Sequence, residues 1–141
     1  MTLKIRLIII LFALSSGALF AQKGDDIVGK YRLPNGLDVE IYKNGNNYEG
    51  KIISLQDYKE EESKDVHNPD KSKRDEPLMN KVIIRELEFD NDEKEWNNGT
   101  MYGPDKGMYV NLKVTEIRDD EIEVVGSKYL FSKTLIWKKL K

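Results

Sequence analysis

The sequence has no cysteine and a single histidine, His67, among its 141 residues. The absence of cysteine excludes a disulfide framework, a thiol nucleophile and a zinc site with cysteine ligands. With one histidine, a zinc centre with several imidazole ligands is excluded as well. The chain must therefore be stabilised by packing alone, and its length favours a single hydrophobic core.

The chain also lacks an excess of positive charge. Its 23 basic and 25 acidic side chains give a formal net charge of −2. Nucleic-acid binding depends largely on basic side chains that release counterions from the phosphates. The composition therefore predicts no nucleic-acid partner.

The first 21 residues have the pattern of a secretory signal peptide. Lys4 and Arg6 precede an apolar run over 7–14, and small residues follow at 15–18. This is the usual order of basic start, apolar centre and cleavage site. A membrane anchor needs ~20 apolar residues, so the short run predicts no stable membrane anchor.

The expected mature protein begins after one of two alanines, Ala18 or Ala21. Without cysteine, no lipid can be attached at its amino terminus. The sequence thus predicts a periplasmic or secreted protein, in which the signal peptide 1–21 is removed and a single domain, 22–141, remains. That domain has 21 basic and 25 acidic side chains, a net charge of −4.

After residue 21 the chain contains no alanine, whereas β-branched and aromatic residues are frequent. This composition favours strands over helices. Apolar and polar residues alternate in short segments separated by turn signals such as Asn44-Gly45. Eight antiparallel strands joined in sequence most simply close into an up-and-down barrel, an all-β fold; the periodicity leaves an open sandwich as the alternative. The eight segments are 27–33, 38–43, 48–55, 82–89, 95–102, 108–115, 121–127 and 134–140.

One long charged loop, 56–81, interrupts this pattern. It is rich in Lys, Glu and Asp and shows no sustained alternation. Connections longer than ~12–15 residues are usually functional lids or disordered segments. Residues 58–65 are predicted to be a solvated charge run, and 67–78, which contains stiffer residues, to be more structured.

The alternating segments direct apolar side chains into the barrel. An eight-stranded barrel is just wide enough to be packed solid or to hold one small ligand. The aromatic residues Tyr48, Trp96 and Tyr102 therefore either line a pocket or fill the interior. The predicted interior side chains are Val39, Ile41, Tyr48, Ile52, Val110, Leu112, Ile122 and Val124. The predicted ligand contacts are Ile41, Tyr48, Ile52, Arg85, Trp96, Tyr102 and Leu112.

Arg85 is the main candidate for a polar ligand contact. It shares one face of its segment with Ile83 and Leu87, which would place its guanidinium inside the barrel. A buried guanidinium needs a carboxylate partner, so Arg85 is predicted to receive the acidic head of an amphipathic ligand such as a fatty acid. Two alternatives stay open: a register change or bulge that sends Arg85 to solvent, or an internal pair with a glutamate.

The long loop carries a second group of candidates. Asn68, Asp70 and Arg74 either make functional contacts or form an Asn-Pro-Asp turn locked by an Asp–Arg pair. His67 lies near Asp65 and Asp70, but these residues match no known ligand spacing for a metal. We therefore predict no metal site and interpret His67 as an exposed loop residue.

Several short motifs occur in a characteristic order along the chain. They are 26–31, 39–42, 48–52, 68–70 with Arg74 and Pro77-Leu78, 99–104, and Trp137. In this order they resemble an uncharacterised family of small exported bacterial proteins, a domain of unknown function with a lipocalin-like (calycin) β-barrel. The resemblance implies the barrel fold and the export route, and it implies no reaction. In lipocalin-like barrels an aromatic ring of the first strand meets a cation of the last, and here Tyr31 and Lys139 occupy these places.

These patterns predict a binding protein. The chain shows no nucleophile–base pair and no metal-ligand set, so we predict neither an enzyme nor a cofactor. The favoured function is non-enzymatic binding of a small apolar or amphipathic ligand, with the long loop as a lid. The alternative is a protein-interaction module of the cell envelope, with a filled barrel and the 56–81 loop as the contact surface.

Overall fold

The computed structural model, which describes residues 21–141, shows how the alternating segments pair. All eight form strands, and each strand pairs antiparallel with its neighbours in the sequence. The first strand also pairs with the last, with Tyr31 opposite Lys139, so the sheet is a closed barrel and the open-sandwich alternative is wrong. The strands are β1 (Gly29–Arg32), β2 (Asp38–Asn44), β3 (Asn47–Ser54), β4 (Val82–Asp90), β5 (Glu95–Gly103), β6 (Met108–Ile117), β7 (Glu121–Lys128) and β8 (Phe131–Lys139).

Most strand ends differ from the predicted ones by one or two residues, and two of the differences change the local structure. The start of the first segment is a 3₁₀ helix, Gly24–Ile27, instead of strand. The last strand starts at Phe131, because β7 and β8 join through a two-residue turn with Lys128 opposite Phe131. That turn, Tyr129-Leu130, contains no Gly, Pro or Asn, so the usual turn signals are missing.

Two bulges bend the barrel wall where β4 and β5 pair. Glu86 in β4 has φ 61° and Asn98 in β5 has φ 62°. Each bulge inserts one residue relative to the outer neighbours β3 and β6. Because an extra residue shifts the alternation by one, the face that each side chain occupies changes along both strands.

The 3₁₀ helix closes one end of the barrel by accepting hydrogen bonds from buried aromatic side chains. Trp96 Nε1 donates to the Gly24 carbonyl at 2.9 Å, and the Tyr31 hydroxyl donates to the Ile27 carbonyl at 2.6 Å. Tyr31 is 1% exposed, and its burial raises the pKa of the hydroxyl to about 12. The barrel interior next to this 3₁₀ helix is therefore filled by buried side chains that are hydrogen-bonded to the helix backbone.

The loop between β3 and β4 folds against the barrel. Lys64 and Pro77 form an isolated antiparallel bridge, and Leu78 is 1% exposed within the core cluster. The Lys59 amide donates to the Asn35 carbonyl in the β1–β2 turn. The long loop is thus a packed element of the fold.

The described residues bear on two predictions, the signal peptide and the membrane anchor. The predicted signal peptide lies outside the described residues, apart from its last position. Within residues 21–141, no helix is long and apolar enough to span a membrane.

Candidate ligand-binding site

An apolar cavity lies at the barrel end opposite the 3₁₀ helix. Its volume is about 250 Å³, slightly below the ~300–1,000 Å³ typical of ligand pockets. Its wall combines inward-facing side chains of β5 to β8 with the β1–β2 and β5–β6 turns. The lining residues are Leu33, Pro34, Asn35, Met101, Asp105, Val110, Leu112, Val124, Gly126, Lys133, Leu135 and Trp137.

Few polar groups reach this cavity. Trp137 is 1% exposed, and its indole Nε1 is buried without a hydrogen-bond partner in the part of the chain that the structure describes. An unpaired buried donor costs about 1–3 kcal/mol, and a ligand acceptor that reached this N–H would remove that cost. Lys133 and Asp105 bring one charge of each sign to the wall.

Lys133 is the cation of the cavity. It lies opposite Gly126 in the β7–β8 register, so it occupies an inward-facing position next to a residue without a side chain. It is exposed, and none of the ion pairs within residues 21–141 involves it. Its ammonium group is therefore available to a ligand.

Most of the predicted ligand contacts lie elsewhere. Leu112 lines the cavity, whereas Ile41 and Ile52 are fully buried in the core. Tyr48 and Trp96 belong to the closed end, where the Tyr48 hydroxyl donates to Asp25 at 2.6 Å. Burial and this hydrogen bond raise the pKa of Tyr48 to about 12.

The prediction that Arg85 faces the interior is wrong, and the stated alternative, a bulge that sends Arg85 to solvent, is confirmed. The bulge at Arg85-Glu86 leaves both side chains exposed, while Ile84 and Leu87 on either side are buried. Arg85 Nη1 lies 3.1 Å from Glu49, and its side chain is 59% exposed. It therefore lies on the outer surface of the barrel and takes no part in the cavity.

Tyr102 likewise faces outward, because it alternates with the cavity residue Met101. The long loop covers it there, and its hydroxyl donates to Asp65 at 2.6 Å. Asp65 is fully buried and also accepts from Asn68 Nδ2 at 2.7 Å, with Lys81 Nζ at 3.1 Å. Burial and the bond to Asp65 raise the pKa of the Tyr102 hydroxyl.

The three loop candidates form a structural network. The Asp70 amide donates to Asn68 Oδ1 at 2.9 Å, and Asp70 caps the short 3₁₀ helix Lys71–Lys73 through Ser72. Arg74 Nε donates to the Asn68 carbonyl at 2.8 Å, so the expected Asp–Arg pair is replaced by a bond from Arg74 to the backbone. These contacts hold the loop in place.

His67 is exposed. Within residues 21–141 no cluster of His, Asp and Glu could hold a metal ion. The lining of the cavity contains no residue between 56 and 81, so the loop does not contribute to its wall. The expected lid is therefore not over this cavity.

Sequence reasoning missed the charged and polar groups of the cavity, Lys133 and Trp137. Lys133 lies between the predicted strands 121–127 and 134–140, so no face was assigned to it from the sequence. Trp137 was recognised only as part of the family resemblance. If the turn between the last two strands had been predicted at Tyr129-Leu130, the strand would have started at Phe131. The alternation would then have placed Lys133, Leu135 and Trp137 on one face.

The closed eight-stranded barrel with one plugged end and one apolar cavity defines a lipocalin-like protein. The chain also resembles the solved structure of protein HP1028 from Helicobacter pylori, described as a member of the lipocalin family. The two share 20% sequence identity and a TM-score of 0.71, over 82% of this chain and 83% of that one. This likeness confirms the fold.

Residues 29–139 match the profile of a bacterial family described as "Uncharacterized protein conserved in bacteria (DUF2147)". The chain therefore belongs to this family, which confirms the resemblance seen in the sequence. No curated protein matches the chain.

Proposed function

We propose that this protein binds a small amphipathic molecule with an acidic head, without catalysing a reaction. The observation that supports this function is the apolar cavity with an unpaired indole N–H at Trp137 and an available ammonium group at Lys133. The apolar part of the ligand would occupy the space between β5 and β8. The carboxylate would lie near Lys133, the role first expected of Arg85.

The cavity volume sets the size of the ligand. At ~30 Å³ for each group of the size of a water molecule, about 250 Å³ has room for about eight heavy atoms. The seven alkyl carbons of octanoate fit this space, and its carboxylate would lie at the edge of the cavity, near Lys133. Octanol and octylamine have chains of about the same length with a neutral or cationic head. Asp105 also lines the wall, so an amine is the chemical competitor.

Isothermal titration calorimetry with these three compounds tests the proposal. We expect octanoate to bind the purified protein more tightly than octanol or octylamine. Lys133→Gln should weaken octanoate binding about threefold, the worth of an exposed charge pair, and Asp105→Asn should strengthen it. Arg85→Gln is the matched control and should have no effect.

A cavity-filling variant provides an independent test. A Cβ on Gly126 would meet only Val110 Cγ2, at 3.9 Å, and Gly126 lines the cavity, so the side chain of Gly126→Leu is expected to occupy cavity space. We expect it to abolish octanoate binding while the fold is retained. If the wild-type protein binds none of the three compounds, or if Gly126→Leu leaves binding unchanged, the proposed ligand site is wrong.

The alternative function, an interaction module of the cell envelope, relies on the charged outer side of the 56–81 loop. Exposed Glu60, Glu61 and Glu62 support this possibility. It predicts that reversing these charges abolishes capture of an envelope protein, whereas Gly126→Leu does not affect it.

A further inference from the structure

The tip of the β7–β8 hairpin is the most exposed apolar surface of the described chain. Tyr129, Leu130 and Phe131 are 90%, 99% and 82% exposed. The other exposed large apolar side chains of residues 21–141 reach at most 56%, at Tyr109. Three consecutive large apolar residues in water are unfavourable unless a partner covers them.

The backbone conformation at Tyr129 is a second unusual feature of this tip. Tyr129 has φ 54°, a left-handed conformation in which Gly or Asn is normally found. The hairpin between β2 and β3 uses Gly45 at the corresponding conformation, with φ 62°. A tyrosine in this position adds strain and packs against no core residue, so its side chain serves something other than folding.

Lysine residues lie on both sides of the tip. Lys128 precedes it, with its Nζ 5.8 Å from the centre of the Tyr129 ring, and Lys133 follows two residues after it. Neither lysine takes part in an ion pair of the described chain, although the molecule as a whole is acidic. The tip therefore combines apolar side chains with a local positive charge.

We propose that this hairpin tip docks on an anionic lipid bilayer, with Tyr129, Leu130 and Phe131 in the interfacial region and the two lysines at the headgroups. Aromatic residues and leucine with flanking lysines are the usual composition of a segment that lies in this region. This inference does not rest on the proposed ligand binding. Docking would bring the end of the barrel that contains the cavity close to the lipid.

The size and shape of the surface favour a membrane over a second protein. Three side chains of ~150–200 Å² each bury less than the ~800 Å² per partner of a standard protein interface. A bilayer needs no matching shape, so a narrow convex tip is sufficient.

Vesicle sedimentation of the full chain without its predicted signal peptide tests this proposal. One set of vesicles contains phosphatidylcholine alone, and the other contains phosphatidylcholine with about one third phosphatidylglycerol. We expect binding to the anionic vesicles only, weakened by salt because exposed charges are screened.

The double variant Tyr129→Gly/Leu130→Asn reproduces the Gly45-Asn46 turn of the β2–β3 hairpin and places Gly at the position with positive φ, so it should fold at least as well as the wild type. We expect its partition into anionic vesicles to fall about tenfold or more, as the apolar contact area is lost. Lys128→Gln/Lys133→Gln should reduce both binding and its salt dependence. Val28→Asn, an exposed apolar residue at the closed end, is the matched control and should bind normally.

Three outcomes would overturn the proposal: equal binding by wild type and the double variant, equal binding to both vesicle types, or lipid-free self-association that the double variant abolishes. The cavity-filled Gly126→Leu variant should still bind vesicles. If it does while octanoate binding is lost, vesicle binding does not require the cavity, although Lys133 belongs to both sites. Failure of octanoate binding in the wild type leaves the vesicle result unaffected.

Discussion

At the scale of single residues, Asp65 is the most consequential side chain of the described chain. A buried carboxylate is costly unless its oxygens are satisfied. Asp65 meets this condition with donors from three places: Tyr102 on β5, Asn68 in the loop and Lys81 just before β4. The carboxylate therefore joins the loop to the outside of the barrel.

Asp65→Ala is expected to reduce the free energy of unfolding by about 3 kcal/mol, because it removes one partner of a buried ion pair and leaves the Tyr102 and Asn68 donors unpaired. Urea denaturation measures this change. Glu62→Ala, at an exposed position of the same loop, is the control and should cost less than about 0.5 kcal/mol. An equal loss in both variants would show that the Asp65 contacts contribute little.

At the scale of elements, the long loop is held by close backbone contact with two turns. A Cβ on Gly36 would overlap the carbonyl oxygen of Asp57, and a Cβ on Gly107 would overlap that of His67. Both glycines have a positive φ. The loop thus packs where only glycine leaves room, and its docking depends on the β1–β2 and β5–β6 turns.

Gly107→Ala should undock this loop. Gly45→Ala is a matched control, because Gly45 has the same φ but no atom within 4 Å of the added Cβ. We expect the control to cost about 1 kcal/mol from backbone strain alone, and Gly107→Ala to cost more and to speed hydrogen exchange of amides in 56–81. Equal stability and equal exchange in the two variants would contradict the predicted contact.

All eight strands were predicted because apolar and polar residues alternate along each of them. The bulge at Arg85-Glu86 could be named only as an alternative because it has no local signal: a glutamate takes the left-handed conformation instead of a glycine. One inserted residue was enough to move Arg85 from the inside to the outside. Leu112 and Val124 were placed correctly because the irregularity in the β6–β7 pairing comes after Val114 and therefore leaves their alternation unchanged.

At the scale of the whole molecule, buried tyrosines connect stability to pH. Burial raises the pKa of Tyr31, Tyr48 and Tyr58 from 10.0 to about 12, and the pKa of Tyr102 is raised as well. Above pH 10 the unfolded chain releases these protons while the folded chain retains them. The unfolded state then binds fewer protons, so stability decreases as pH rises.

We therefore expect the free energy of unfolding to change little between neutral pH and about pH 9.5. Between about pH 10 and 12 it should fall, by up to about 1.4 kcal/mol per pH unit for each such tyrosine. Urea denaturation across this range measures the slope. Tyr48→Phe should lower the slope, and Tyr129→Phe, at an exposed position, should leave it unchanged; an identical slope in Tyr48→Phe would contradict the role of Tyr48.

The sequence by itself determined the class of fold and the family, because alternation and turn residues are local signals that persist along the chain. Seven of the eight side chains predicted to face the interior are buried in the core, since strand faces follow from a period of two. Only the tertiary structure decided the site. Bulges moved Arg85 outward, an unsignalled turn brought Lys133 to the cavity wall, and the loop was bound to the outer face by Asp65. The bulges and the Asp65 contacts depend on residues far apart in the sequence, and the β7–β8 turn lacks the residues that normally indicate a turn.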